Sequence, residues 1–485
     1  MITVNLRLHI YSVFCFLGLT LNSCSRLVEV DPPITSTNGE NVFNDESTAI
    51  AVLTGIYTNM SNSPVATLDG WLTNICLISG LTGDELQPVN AGDITFGQYF
   101  NNDIQAASLS TWSNIYRMVF IANSAIENLP QSSINPKLKN QLIGEAKFVR
   151  ALCNFYLVNM YGPIPLALST DYQINRVLPR SSEEQVYNQM IIDLKDAQLS
   201  MSDSFVGKDG VSVTSERVRP SKWAATALLA RAYLYTKKYT EAEEMSSIVI
   251  NNSTLFSIVD IDKVFEMNNK EAIWQLQPVG TIADLSANSK EGALFKLSVL
   301  PTPSSYLVKM SAQFAAKFDM RDMRRSKWID SIETDGLVYY FPTKYRIGQE
   351  PVATKEYSTV LRLAEQYLIR AEARVMLGKI QEGIEDLNTI RRRATDYSKP
   401  QAEQLPELPL NLDQNDALGA IEDERKSELF TEWGHRWFDL KRTKRIDDVM
   451  SELKSTWQIT DALYPIPEGD LLGNPNLIGH QNPGY

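Results

Sequence analysis

Two stretches of this chain, beginning at Lys222 and at Leu361, repeat one spacing of small and aromatic residues, and that spacing constrains the fold most. In the first copy Trp223, Ala227, Ala230 and Leu234 recur at steps of four, three and four, which puts them on one helical face. A short polar turn follows, and Thr240 with Glu243 spells a capping box for a second helix. In the second copy Ala371, Ile380 and Gly383 stand at the offsets of Ala230, Tyr239 and Ala242. Small residues at these places let two antiparallel helices approach closely, so the repeat has a packing reason.

Ala230, Tyr233, Tyr239 and Ala242 match the small–aromatic–aromatic–small spacing of a tetratricopeptide (TPR) unit. Other segments carry the helical period less regularly. Leu142, Ala146, Val149, Cys153, Tyr156 and Met160 share a face, and Gly162-Pro163 ends that helix. Ser181 and Glu184 are expected to cap the next one, which carries Val186, Met190, Ile191 and Leu194 inward. Trp112–Leu129 and Asp45–Met60 complete the N-terminal set. The expected fold is mainly α: about four TPR-like helix pairs forming a right-handed superhelical scaffold within one large unit. Residues 61–110 and 253–358 do not read as helix pairs, and are expected to form long irregular insertions with minor β structure. Loops of that length in a compact protein are usually functional or locally structured.

The first residues read as an export signal. Ile10–Leu21 is apolar but too short for a bilayer, which needs about 20 such residues. It follows a single cation, Arg7, and leads to Leu21-Asn22-Ser23-Cys24. Residues 1–23 are therefore expected to be a signal peptide. A Cys after Leu-x-Ser resembles a bacterial lipobox, which makes Cys24 the acylated N-terminus of the mature protein. Several acyl chains, at about 0.8 kcal/mol per buried CH₂, would anchor it stably. The residues after Cys24 read as a tether. Of the remaining thiols, Cys153 lies within an apolar helical pattern and reads as a buried free thiol, as opposed to a disulfide or metal ligand.

A formal charge of −12, without any compensating Lys/Arg block, argues against nucleic acid as a partner. Only His435 and His480 follow the leader, which starves a His-based metal site. The chain has no H-E-x-x-H, G-x-S-x-G, G-x-x-x-x-G-K-[ST] or C-x-x-C. Asp84-Glu85 after Gly83 lacks the alternating ligands of a calcium loop. No cofactor or metal is expected.

Beyond the repeat, a series of short stretches resembles the SusD-like (RagB/SusD) family in order and spacing. They include Phe43-Asn44-Asp45-Glu46 with Gly55-Ile56-Tyr57, Trp112–Tyr116 with Ala122-Asn123, and Gly144–Ala151 running on to Tyr161-Gly162-Pro163-Ile164-Pro165. Leu361–Glu365, Glu424-Arg425, Glu428-Leu429, Arg436, Asp439-Leu440 and Arg442 follow. Tyr464-Pro465-Ile466-Pro467 and Gln481–Tyr485 close the series. One departure is Trp433-Gly434-His435-Arg436, where the family more often has Glu-Gly-x-Arg. The resemblance implies a non-enzymatic lipoprotein of the outer membrane, facing the cell exterior. It would bind a nutrient, commonly a glycan, and cap a SusC-like TonB-dependent transporter. It further implies an N-terminal region at 24–252 with the tether and first helix pairs, and a C-terminal region at 253–485 with the irregular insertion. Of the functional residues, only Cys24 carries over by motif position.

A sugar site needs exposed flat rings and amides, carboxylates or guanidinium groups to pair the hydroxyls. Trp71, Tyr99, Phe100 and Tyr306 are the candidate ligand-binding aromatics, with Gln98, Asn101, Asn102 and Asp103 beside the first cluster. Trp274 sits in an alternating run and reads as core, as do the helical Trp112, Trp223, Trp433 and Trp437. Glu424, Glu428, Glu432 and Asp439 could suggest paired-carboxylate chemistry. Arg425, Arg436 and Arg442 are interleaved, however, and Glu432 to Arg436 is a helical i,i+4 pair, so a structural charge network is the favoured reading. The rival readings are a glycan-degrading surface lipoprotein and a TPR scaffold that binds only protein.

Overall fold

Asn135 accepts a hydrogen bond from the Lys137 amide and Pro136 takes the first helical position, so a long helix starts there and runs to Tyr161. Gly162, at φ 70°, stops it. From Gln141 onward most side chains of this helix are buried, which makes it the axis of the N-terminal half. The computed structural model describes residues 42–61, 72–108, 110–283, 285–297, 300–301 and 308–485. Its helices of eight residues or more are α1 (Glu46–Ser61), α2 (Leu72–Thr82), α3 (Ser110–Asn128), α4 (Pro136–Tyr161), α5 (Glu183–Ser200), α6 (Lys222–Tyr235) and α7 (Tyr239–Ile250). After the insertion come α8 (Leu363–Met376), α9 (Ile380–Arg393), α10 (Gln414–Leu429), α11 (His435–Arg442) and α12 (Ile446–Leu453).

From α3 to α9 each helix packs on the next. The fold is thus mainly α and built of stacked helix pairs, as the periodicity predicts. The two repeat copies are the pairs α6/α7 and α8/α9, and Ala230, Ala242 and Ala371 are fully buried between them. At Gly383 an added Cβ would lie 2.7 Å from Val375 Cγ2 and 2.8 Å from the Ala371 carbonyl, so the α8/α9 approach requires glycine.

Both expected caps are corrected. Helix α7 starts at Tyr239 with Lys238 at the N-cap position, two residues before Thr240, and has no side-chain cap. Glu243 instead pairs with Arg374 and Lys379 of the second repeat copy, because two cations outcompete one amide. Helix α5 is capped by the reciprocal pair Ser182 and Gln185, one residue past Ser181 and Glu184. Ser181 is already committed to an antiparallel bridge with Ile164.

Among the described residues every sheet is two-stranded. Strand β1 (Leu86–Pro88) pairs with β5 (Val308–Met310), β2 (Ile164–Pro165) with β3 (Arg180–Ser181), β4 (Ala272–Leu276) with β8 (Ser358–Arg362), and β6 (Ile329–Thr334) with β7 (Leu337–Pro342). The last pair is a hairpin turned by Asp335 and Gly336, both at positive φ, as a two-residue connection demands. Strands β4 and β8 bind the second insertion to the helices. Trp274 on β4 is fully buried, edge-on to Tyr57 and Phe148, and its indole donates to the Val218 carbonyl. Trp112, Trp433 and Trp437 are core as expected, whereas Trp223 is only half-buried, against Phe256.

A buried charge cluster fastens the same insertion. Arg362, at the end of β8, binds Glu271, Glu428 and Glu432. Arg324 binds Asp322, Glu424 and Glu428, while Arg393 binds Glu271 and Glu428. Lys344 pairs with Glu432. Burial alone would push the Glu428 carboxyl up, but the three guanidinium groups hold it well below the ordinary carboxylate range. The carboxylates are thus a structural network, with one correction. Glu432 does not pair with Arg436; their partners come from the insertion and from Asp84 respectively, since the chain turns at Trp433-Gly434 and α11 starts only at His435.

Candidate functional site

The two irregular stretches meet through β1 and β5, where Gln87 stands opposite Lys309. From β1 the chain passes into a short helix, Ile94–Phe100, capped by the Asp93 carboxylate on the Phe96 amide. Asn102, at φ 58°, then turns the chain, and its side chain is held at both ends. Its amide donates to the Thr82 carbonyl and its oxygen accepts from Lys454 Nζ. Lys454 also donates to the Leu81 and Thr82 carbonyls and lies 5.1 Å over the Phe100 ring. Burial pushes its ammonium down to about 7.

Beside this turn lies a cleft of about 670 Å³, formed by Asn101–Ala106 on one side and by Thr456, Gln458, Thr460, Asp461, Gly484 and Tyr485 on the other. Thr456 Oγ1 donates to the Asn101 carbonyl across it, and Gln105 Nε2 donates to the Asp103 carboxylate. Gly484, at φ 99°, lets the final residues pass Thr460, where a Cβ would come within 2.7 Å of Oγ1. The lining carries amides, hydroxyls and carboxylates and no cation. Burial raises the Asp461 carboxyl, and Asp103 adds to that rise. Burial, then Asp461 and Asp103, also raises the Tyr485 phenol. Such a lining offers donors and acceptors to a hydroxyl-bearing ligand.

The sequence candidates scatter around this cleft. Asn101, Asn102 and Asp103 belong to it. Tyr99 is 4% exposed, and burial pushes its phenol up to about 12, so its ring offers no open face. Phe100 is half-buried under Lys454. Cys24, Trp71 and Tyr306 lie outside the described residues. Among the other aromatics of the second irregular stretch, Trp328 and Tyr345 are buried, while Tyr339 and Tyr340 are half-buried beneath Lys309 and Arg325. Asp84 is taken by Arg436 and Lys317. Its neighbour Glu85 accepts the Thr431 amide, with burial raising its carboxyl to about 8. Thr456, Gln458, Asp461 and Tyr485 are site residues that the sequence does not single out, and the marks near them are the Tyr464–Pro467 and Gln481–Tyr485 motifs.

That motif closes the fold behind the cleft. Asn482 donates to the Tyr161 and Tyr464 carbonyls and accepts from Arg180, while Gln481 pairs with the backbone of Ile466. The Tyr464 hydroxyl meets Thr82 Oγ1 at 2.8 Å. Three family-like stretches, far apart in the chain, are thereby one joint.

These features define a TPR-like helical scaffold whose insertions and C-terminal segment frame a polar cleft. No helix among the described residues is long and apolar enough to cross a membrane. Residues 47–234 match a family model described as starch-binding associating with outer membrane, and residues 323–485 match that of the SusD family. The chain belongs to the SusD/RagB family. SusD-like protein P25 of Formosa agariphila is 25% identical over 98% of both chains, and SusD-like protein P2 of the same organism is 27% identical over 97% of this chain and 99% of its own. A SusD superfamily protein from Bacteroides vulgatus shares the fold, with a TM-score of 0.75 at 20% identity over 91% of this chain and all of its own. So does surface glycan-binding protein A from Bacteroides fluxus, with a TM-score of 0.71 at 22% identity and the same coverage.

Proposed function

We propose that this protein captures a glycan at the cell surface and delivers it to a SusC-like TonB-dependent outer-membrane transporter, without catalysis. The observation that carries the reading is the polar cleft between Asn101–Ala106 and Thr456–Tyr485, whose cation-free lining suits sugar hydroxyls. Family membership and the fold shared with a surface glycan-binding protein support it. In this reading residues 1–23 are removed, Cys24 carries the lipid, and residues 25–34 serve as a tether to the outer membrane. Trp71, Tyr306 and the half-buried Phe100, on sequence grounds, supply stacking rings.

A glycan array followed by calorimetry tests the binding. Asn101→Ala and Asp103→Ala should each weaken the best glycan about fivefold or more, from the loss of about 1 kcal/mol of hydrogen bonding. Unchanged affinity in both variants would exclude the cleft. Co-purification of a barrel with the tagged protein tests the partner.

The Asp461 carboxyl, raised by burial and by Asp103, favours a second reading as a hydrolase, since a general acid needs a raised carboxyl. Soluble products released from a polysaccharide, and lost in Asp461→Asn, would establish that reading in place of capture.

A further inference from the structure

A second cleft, of about 370 Å³, is separated from the first by a wall of two packed elements. The wall is the turn Ala106–Ser108, packed on the short helix Glu468–Gly473. Ala106 lines the polar cleft, while Gly469, Asp470 and Gly473 line the second.

The two clefts are complementary in chemistry. The first is rich in hydrogen-bonding groups, and its one aromatic residue, Tyr485, is 38% exposed. The second is walled by rings from helix α3 and from the loop after β2. Among them Tyr172 is 69% exposed and Phe120 52%. Arg176 lies over the Tyr172 ring, 5.8 Å from its centre. Polar groups stand between the rings: Asp470, hydrogen-bonded to Trp112, and Asn175. The Asn175 amide nitrogen donates to the Ser169 carbonyl, but its buried oxygen has no hydrogen-bond partner among the described residues. Open rings beside an amide and a carboxylate are what a sugar ring uses, one face against the aromatic and hydroxyls to the side.

We propose that the two clefts form one extended site for a linear oligosaccharide, with Tyr172 and Phe120 as the stacking platforms of its far end. This rests on the glycan reading of the first cleft. The wall, a single turn on a six-residue helix about 9 Å long, is short enough for a chain of a few sugars to cross. The neighbouring Leu168, Ile174 and Val177 are also exposed, so the rival occupant is a protein surface.

The test uses ladders of malto-, xylo- and manno-oligosaccharides of one to seven units, titrated calorimetrically into the wild type, Tyr172→Ala and Phe120→Ser. For one ladder, affinity should keep rising beyond two units. Tyr172→Ala should weaken the long members about two- to tenfold and leave the short ones unchanged. Circular dichroism will show both variants folded, since both rings are largely exposed. An affinity that levels off at two units, or is unmoved by both substitutions, overturns the extended site and leaves the polar cleft standing. A Tyr172→Ala protein that binds every ladder normally but loses a co-purifying barrel assigns the patch to protein docking and overturns it equally. Binding to no ladder overturns the glycan reading itself.

Discussion

Replacing Arg362 by Met tests whether the buried charge cluster holds the second insertion on the helices. The guanidinium is 2% exposed and makes five short contacts. It reaches the two Glu432 oxygens at 2.7 and 2.8 Å, Glu271 at 3.0 Å, Glu428 at 2.6 Å, and the Glu428 carbonyl at 2.8 Å. Removing one partner from a buried pair costs about 3–5 kcal/mol, because the remaining charges stay in a low-dielectric interior. Here each carboxylate keeps another cation: Arg393 for Glu271, Arg324 and Arg393 for Glu428, and Lys344 for Glu432. The Glu428 carbonyl also keeps Lys344. The loss should therefore sit at the low end, about 3 kcal/mol. Urea denaturation at pH 7, followed by tryptophan fluorescence, measures it, with Trp328 reporting because Arg393 lies 5.2 Å from its ring centre. The pH dependence has a definite sign. The folded Glu428 carboxyl lies below its unfolded value of 4.5, so its contribution is present above pH 4.5 and lost as pH falls through the lowered value. Arg362→Met should flatten that acid loss. A decrease under about 1 kcal/mol, or full additivity with Glu428→Gln, would refute the idea that these groups act as one network.

Three further outcomes follow from the geometry. Gly434→Ala places a Cβ 2.7 Å from the Phe438 ring at a φ of 75°, and should cost about 1–3 kcal/mol in the same denaturation assay. Glu85 has a folded value of about 8 against 4.5 unfolded, so its stabilisation is complete below pH 4.5 and lost as pH climbs to 8. Glu85→Gln should be the more stable protein at pH 8, by a few kcal/mol at most, and should show a flatter midpoint between pH 5 and 8. Cys24→Ala should abolish metabolic labelling with a radioactive fatty acid and release the protein from the outer-membrane fraction, whereas retained label would move the anchor elsewhere.

Much of the scaffold was legible because helix faces depend on neighbours three and four residues away. The steps through Leu142–Met160, and the matched Ala230/Ala371 and Ala242/Gly383 positions, name residues that do meet in α4 and in the two repeat pairs. Boundaries were less legible, and for one reason in both misplaced caps. A side chain that could serve the local backbone had a better partner far away: Arg374 and Lys379 for Glu243, and Ile164 for Ser181.

The sequence by itself therefore determined the helix pairs, the small residues at their crossings, the buried tryptophan of β4 and the ordered motifs of the family. Tertiary structure alone decided which arginine serves which carboxylate, that Tyr99 faces the core, and that Asn101–Ala106 and Thr456–Tyr485 share a cleft although the Thr456–Asn101 contact spans 355 residues of chain. Periodicity encodes which face of a helix is apolar, whereas a cleft exists only where the folded chain brings its remote turns together.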